Sequence, residues 1–184
     1  MVLLLGGVLL WYAGHLFKRV LPGVRASMGN AGRGLVAVLV GGGLVLMIIG
    51  YRGSTFEPVY LPPTWGWHLN NLLMIFAVIL LGMGSSKGKL RAALRHPMLT
   101  GVLVWAIAHL LVNGDLASLV LFGGLGVWGV LEMIVINVAD GPWERPESGP
   151  ISGDTRLLVI GLVLYAIIVA VHSWLGVSPF PTSS

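Results

Sequence analysis

Five histidines, His15, His68, His96, His109 and His172, lie within or beside apolar stretches of this 184-residue chain. A neutral imidazole in hydrocarbon is costly and must find a partner for each ring nitrogen, so intramembrane histidines point to function. Iron on one nitrogen and a hydrogen-bond acceptor on the other satisfy both demands, which makes haem ligation the first chemistry to consider. The chain has no cysteine. That removes disulfides, thiolate zinc sites, iron–sulfur clusters and cysteine nucleophiles, and redox chemistry here needs a bound cofactor.

The elements that must position these histidines are membrane helices. Hydrophobic residues make up 56% of the chain and charged residues 10%, with a mean hydropathy of +0.90, against about 25% charged residues in ordinary soluble domains. Apolar runs of membrane length fall near residues 2–17, 34–51, 68–84, 97–113, 116–138 and 157–176. The expectation is an all-α integral membrane bundle of about six transmembrane helices, one domain over residues 1–184 with no soluble part. The first run lacks a basic leader and a small-residue cleavage site, so it is read as retained. Glycines at Gly41-Gly42-Gly43 and Gly123-Gly124 are expected to let helices approach closely. Lys18, Arg19, Arg25 and Arg33 mark one loop, and Lys87, Lys89, Arg91 and Arg95 another. Both are expected on the cytoplasmic side, with both termini outside. The net charge of +4 then reflects topology and contact with anionic membrane lipids, and no nucleic-acid partner is expected.

In this topology His15 and His96 lie near the cytoplasmic face, and His68, His109 and His172 nearer the outer one. His96 and His109 are 13 residues apart on one segment, about 20 Å along a helix axis and on nearly opposite sides, so they cannot share an iron. Depth alone pairs His15 with His96, and His109 with His172 or His68. His68, beside Trp65 and Trp67, also reads as an interfacial residue, and His96 before Pro97 as a helix cap next to a headgroup-anchoring Arg95. Glu132 lies inside a span, as a proton acceptor, a partner to a histidine's second nitrogen, or an interface residue. Tyr165 shares a face with His172 two turns on.

The run Arg95-His96-Pro97-Met98 through Trp105 and Ala108-His109-Leu110-Leu111 to Asn113-Gly114 closely resembles the signature of the NnrU family of bacterial inner-membrane proteins. Gly14-His15-Leu16, Gly50-Tyr51, Trp67-His68-Leu69 with Leu72-Leu73-Met74, and the ending His172-Ser173-Trp174-Leu175-Gly176-Val177-Ser178-Pro179-Phe180 agree with it. The resemblance implies a multi-pass protein linked to denitrification through nitrite and nitric oxide reductases. The superfamily includes the plant and cyanobacterial 15-cis-ζ-carotene isomerase, a haem b enzyme, and its haem-linked histidines carry over to His15 and His109, with His96 also matching. Depth, in contrast, separates His15 from His109 by about 10 Å or more. Those relatives have a cysteine three residues before the later histidine, where this chain has Ala106, so exchange of a thiolate for a histidine ligand has no residue here.

Arg95-His96-Pro97 opening a membrane segment also resembles the isoprenylcysteine carboxyl methyltransferases, where such residues help to hold S-adenosylmethionine. The acidic pair and Phe-Gly-Tyr pattern of that family are missing. Three functions stay open: a haem b protein doing denitrification-linked electron transfer or isomerase-like chemistry on a lipophilic, carotenoid-like substrate; a membrane methyltransferase; and a non-enzymatic accessory subunit of a reductase partner.

Overall fold

A computed structural model describes residues 1–180 of the chain. The fold is all-helical, with 74% helix. In chain order, α1 spans Val2–Val20, α2 Pro22–Ser27, α3 Gly29–Arg52 and α4 Gly66–Met83. A 3-10 turn at Leu90–Ala92 precedes α5, Pro97–Leu110. Leu116–Ser118 (α6), a π-helical turn at Leu119–Gly123 and α7, Gly124–Asp140, run on without a break, and α8 covers Ile151–Trp174. Pro22 and Pro97 open α2 and α5, where a missing N–H costs nothing. Gly141, at φ +69°, stops α7 in a conformation that favours glycine.

Among the described residues four helices, Gly29–Arg52, Gly66–Met83, Leu116–Asp140 and Ile151–Trp174, are long and apolar enough to cross a membrane. The two other expected spans differ. Pro97–Leu110 is apolar but has 14 residues, about 21 Å of helix against a hydrocarbon core of roughly 30 Å. Val2–Val20 has 19 residues but carries His15, Lys18 and Arg19 toward its end. The expected 97–113 helix closes early because Asn113 folds back, donating from its backbone N and from Nδ2 to the His109 carbonyl at 3.0 and 2.8 Å. The expected 157–176 helix instead begins early, at Ile151. Asp154, which precedes the expected run, sits in its first turn, where the helix dipole favours an anion. Its buried carboxylate accepts from the backbone N of Lys89 and Leu90, each at 3.0 Å.

The chain divides into two compact units, residues Met1–Leu61 with Gly114–Gly141, and Pro62–Asn113 with Pro142 onward. In the first unit α1 meets α3 backbone to backbone. A Cβ on Gly7 would lie 2.6 Å from the Met47 N, and one on Gly43 2.9 Å from the Gly7 O. This is the small-residue packing by which helices associate in a bilayer. Of the expected glycine patches, Gly43 and Gly124 meet α1, whereas Gly41, Gly42 and Gly123 face open space. The core here gathers Leu4, Val8, Met47 and Ala117. In the second unit Gly101 brings α5 against Ala77 of α4, and Gly161 brings α8 against Ile79 of α4. α8 exposes Leu158, Val159, Ile160, Leu162 and Leu164, residues that point in several directions round the helix, as suits a hydrocarbon surrounding.

Candidate functional site

In the first unit His15 lies on α1, one turn after Trp11, and its Nδ1 is 2.9 Å from the Trp11 carbonyl oxygen. A carbonyl only accepts, so Nδ1 carries the hydrogen and the lone pair of the neutral ring is on Nε2. The ring packs on the Trp11 indole at 4.3 Å between centroids and meets the edge of Trp128 of α7 at 4.7 Å. Trp11 and Trp128 themselves meet edge to face at 5.4 Å. One turn after Trp128 stands Glu132, 9% exposed. Tyr12 donates to the Gly124 carbonyl at 2.6 Å, and Arg19 pairs with Asp140 at 2.7 Å, fixing α1 against α7 on either side of the histidine.

Polar satisfaction is incomplete around this ring. Trp11 Nε1, Trp128 Nε1 and Glu132 Oε2 are buried without a hydrogen-bond partner. Each such atom costs on the order of 1–3 kcal/mol, and such costs concentrate where a fold serves function before stability.

The second unit repeats the histidine's local bond in a different setting. His109 Nδ1 donates to the Trp105 carbonyl at 2.9 Å, and His172 Nδ1 to the Ile168 carbonyl at 2.8 Å. Both rings line a cavity of about 40 Å³ with Asn70, Asn71 and Tyr165. That takes water or one small polar group, well below the roughly 300 Å³ of a drug-sized site. Asn70 is 6% exposed and its Oδ1 has no partner. Its Nδ2 donates to Asn71 Oδ1 at 3.3 Å, and Asn71 donates to the Pro179 carbonyl at 3.0 Å, holding the segment after α8 at the cavity. Of the partners that depth allows for His109, the structure brings His172 to the same cavity; exposed His68 is not in its lining.

His96 is the N-cap residue of α5, but its side chain makes no capping bond. Its carbonyl instead accepts from Thr100 N and Oγ1, both at 2.9 Å. His96 and Arg95 are half-buried. His15 and Glu132 belong to the first unit, and His68, Arg95, His96, His109 and His172 to the second. The sequence reading passed over Asn70 and Asn71, although adjacent amides inside an apolar run are themselves a signal. It also passed over Asp115, which accepts from Ser118 N and Oγ and so begins α6, while Tyr51 reaches the same Ser118 hydroxyl at 2.9 Å. Near it, burial first and the Asp115 charge second push the Tyr60 phenol above its ordinary value.

Among the described residues no three His, Asp or Glu side chains converge as a site for a bare metal ion. Haem asks less of a protein, because the porphyrin supplies four nitrogens and the chain only axial ligands. An imidazole with Nδ1–H fixed on a carbonyl is the usual form of such a ligand. The imidazoles therefore fit haem by donor chemistry, although the cavity beside His109 and His172 does not enclose a porphyrin.

A family model for the NnrU protein matches residues 3–179, nearly the whole chain. The chain belongs to the NnrU family. No curated protein and no solved structure matches it. Within the family's extent lie all five histidines, Arg95 and Glu132.

Proposed function

We propose that this NnrU-family chain is a multi-pass protein of the bacterial inner membrane that binds haem b through histidine, with His15 and His109 as first candidates for axial ligands and His172 beside them. The observation that supports this most is the bond shared by His15, His109 and His172, each with Nδ1 donating to the carbonyl one turn earlier. It holds the ring in one rotamer and makes Nε2 the more basic nitrogen. When bound, haem would supply one-electron chemistry, for electron transfer linked to denitrification or for isomerase-like chemistry on a lipophilic, carotenoid-like substrate. Around the half-buried His15 stand two indoles, and Glu132, one turn beyond Trp128, keeps an oxygen free to take a proton. Around His172, Tyr165 and the Asn70–Asn71 amides offer neutral hydrogen-bonding groups and no charge. Ala106 offers no thiolate.

The test is the absorbance of the purified full chain from haem-replete cells, with pyridine haemochrome stoichiometry. A Soret band with one or two haems per chain is expected. Its absence sinks the haem reading and moves weight to methyl transfer at Arg95 and His96 or to a non-enzymatic subunit of a reductase. The six-span arrangement has its own check, since a reporter fused after Lys89 is expected to score cytoplasmic, and an external score would overturn it.

A further inference from the structure

Away from the histidines, the corner where α1 passes through α2 into α3 forms an open pocket of about 470 Å³ lined by Lys18, Arg25, Asn30 and Arg33, with no carboxylate among the described residues of its wall. The neighbouring cation is different, because Arg19 is already neutralised by Asp140 at 2.7 Å. Arg25 is held in place by a bond from its Nη1 to the Gly29 carbonyl at 3.1 Å. It also lies across Gly32, where an added Cβ would come within 2.8 Å of that same nitrogen. The missing side chain at Gly32 is therefore what lets the guanidinium lie there. The pocket also meets the start of α3, whose first turn has no acidic residue and no side-chain cap, so its free amides and the positive end of the helix dipole add to the field. Three cations, a helix start and an amide side chain, without a counter-charge, match one ligand chemistry: a phosphate oxyanion.

The setting favours one source. Val20, Leu21 and Val24 are exposed apolar residues at this corner, and α3 leaves it as a helix long enough to cross a membrane. The geometry points to a site for the phosphate headgroup of an anionic phospholipid, with the acyl chains on these apolar residues and the phosphate between Lys18, Arg25 and Arg33.

The test uses the full chain in nanodiscs of phosphatidylcholine with and without phosphatidylglycerol, reading retained lipid by native mass spectrometry. Phosphatidylglycerol is expected to be retained in preference to phosphatidylcholine. Lys18→Gln, Arg25→Gln and Arg33→Gln are each expected to weaken retention about fivefold, the usual effect of one basic group at an anionic surface. Gly32→Leu keeps every charge but occupies the place of Arg25, and should weaken retention as Arg25→Gln does. Arg19→Gln removes the same charge from a residue outside the pocket and should change retention little. No preference for phosphatidylglycerol, or an equal loss with Arg19→Gln, overturns the site. Binding of inorganic phosphate with the same dependence on variants, but no retention of phosphatidylglycerol, would keep the oxyanion chemistry and refute the lipid source.

Discussion

His15 and His172 make the same local bond in opposite surroundings. In the first unit the imidazole is walled by two indoles beside a buried, unpartnered carboxyl; in the second, His172 and His109 open onto a small cavity lined by amides and a phenol. Donating Nδ1–H to the preceding turn fixes the ring and leaves Nε2 to a ligand alike in both units. What differs is the supply of proton partners: the first unit offers an acid, the second only neutral groups. An aromatic wall with one acid nearby can exchange a proton, whereas a cavity with neutral hydrogen-bonding groups suits a small polar ligand.

The largest effect expected concerns haem itself. His109→Ala should abolish or sharply reduce the Soret band, and His15→Ala tests the first unit's histidine as a ligand in the same way. With one haem per chain, the variant that loses the band names the unit whose histidine holds it. With two, His15→Ala removes about one and leaves the His109-linked spectrum. Wild-type spectra in both variants would refute both ligand assignments.

Next comes the helix packing of the first unit. Gly50→Val places a side chain against the Leu4 backbone of α1, and overpacking of this kind is expected to cost about 3 kcal/mol or more. Thermal unfolding of the purified protein measures it, and an unchanged midpoint would mean that α1 and α3 separate easily.

Glu132→Gln sharpens the contrast in proton supply. The amide keeps the shape and removes the ionisable group, so stability should shift by no more than about 1 kcal/mol in either direction, whereas the pH dependence of the haem midpoint potential should flatten. A potential that follows pH as before would leave Glu132 a packing residue.

Smaller effects are expected in the second unit. Asn71→Ala removes the bond to the Pro179 carbonyl and is expected to cost about 1 kcal/mol, visible as faster proteolysis after α8. His68→Ala should leave the spectrum unchanged, because the side chain is exposed and lines no part of the cavity. A lost Soret band in that variant would reverse the ranking of His68 and His172.

Much of the helical layout was legible because hydrocarbon-length apolar runs have few other uses. The runs at 34–51, 68–84, 116–138 and 157–176 each correspond to a helix able to cross a membrane. Ends were less legible, since they depend on polar groups that act from a distance in sequence. Asp154 belongs to α8 because it reaches the amides of Lys89 and Leu90, and no local pattern shows that. The early end of α5 was closer to readable, as Asn113-Gly114 is a common way to close a helix.

Composition alone determined that this chain is a helical membrane-type protein, and its lack of cysteine that no thiol chemistry is open to it. Motif spacing was enough to indicate its family. Only tertiary structure decided which residues stand together: Trp128 against His15, Asn70 and Tyr165 beside His109 and His172, and Arg25 folded over Gly32. The reason is physical. Burial follows from side-chain type, which the sequence states directly, whereas neighbourhood depends on which helix faces meet, and in an apolar bundle most faces are nearly alike until small residues and buried polar groups select among them.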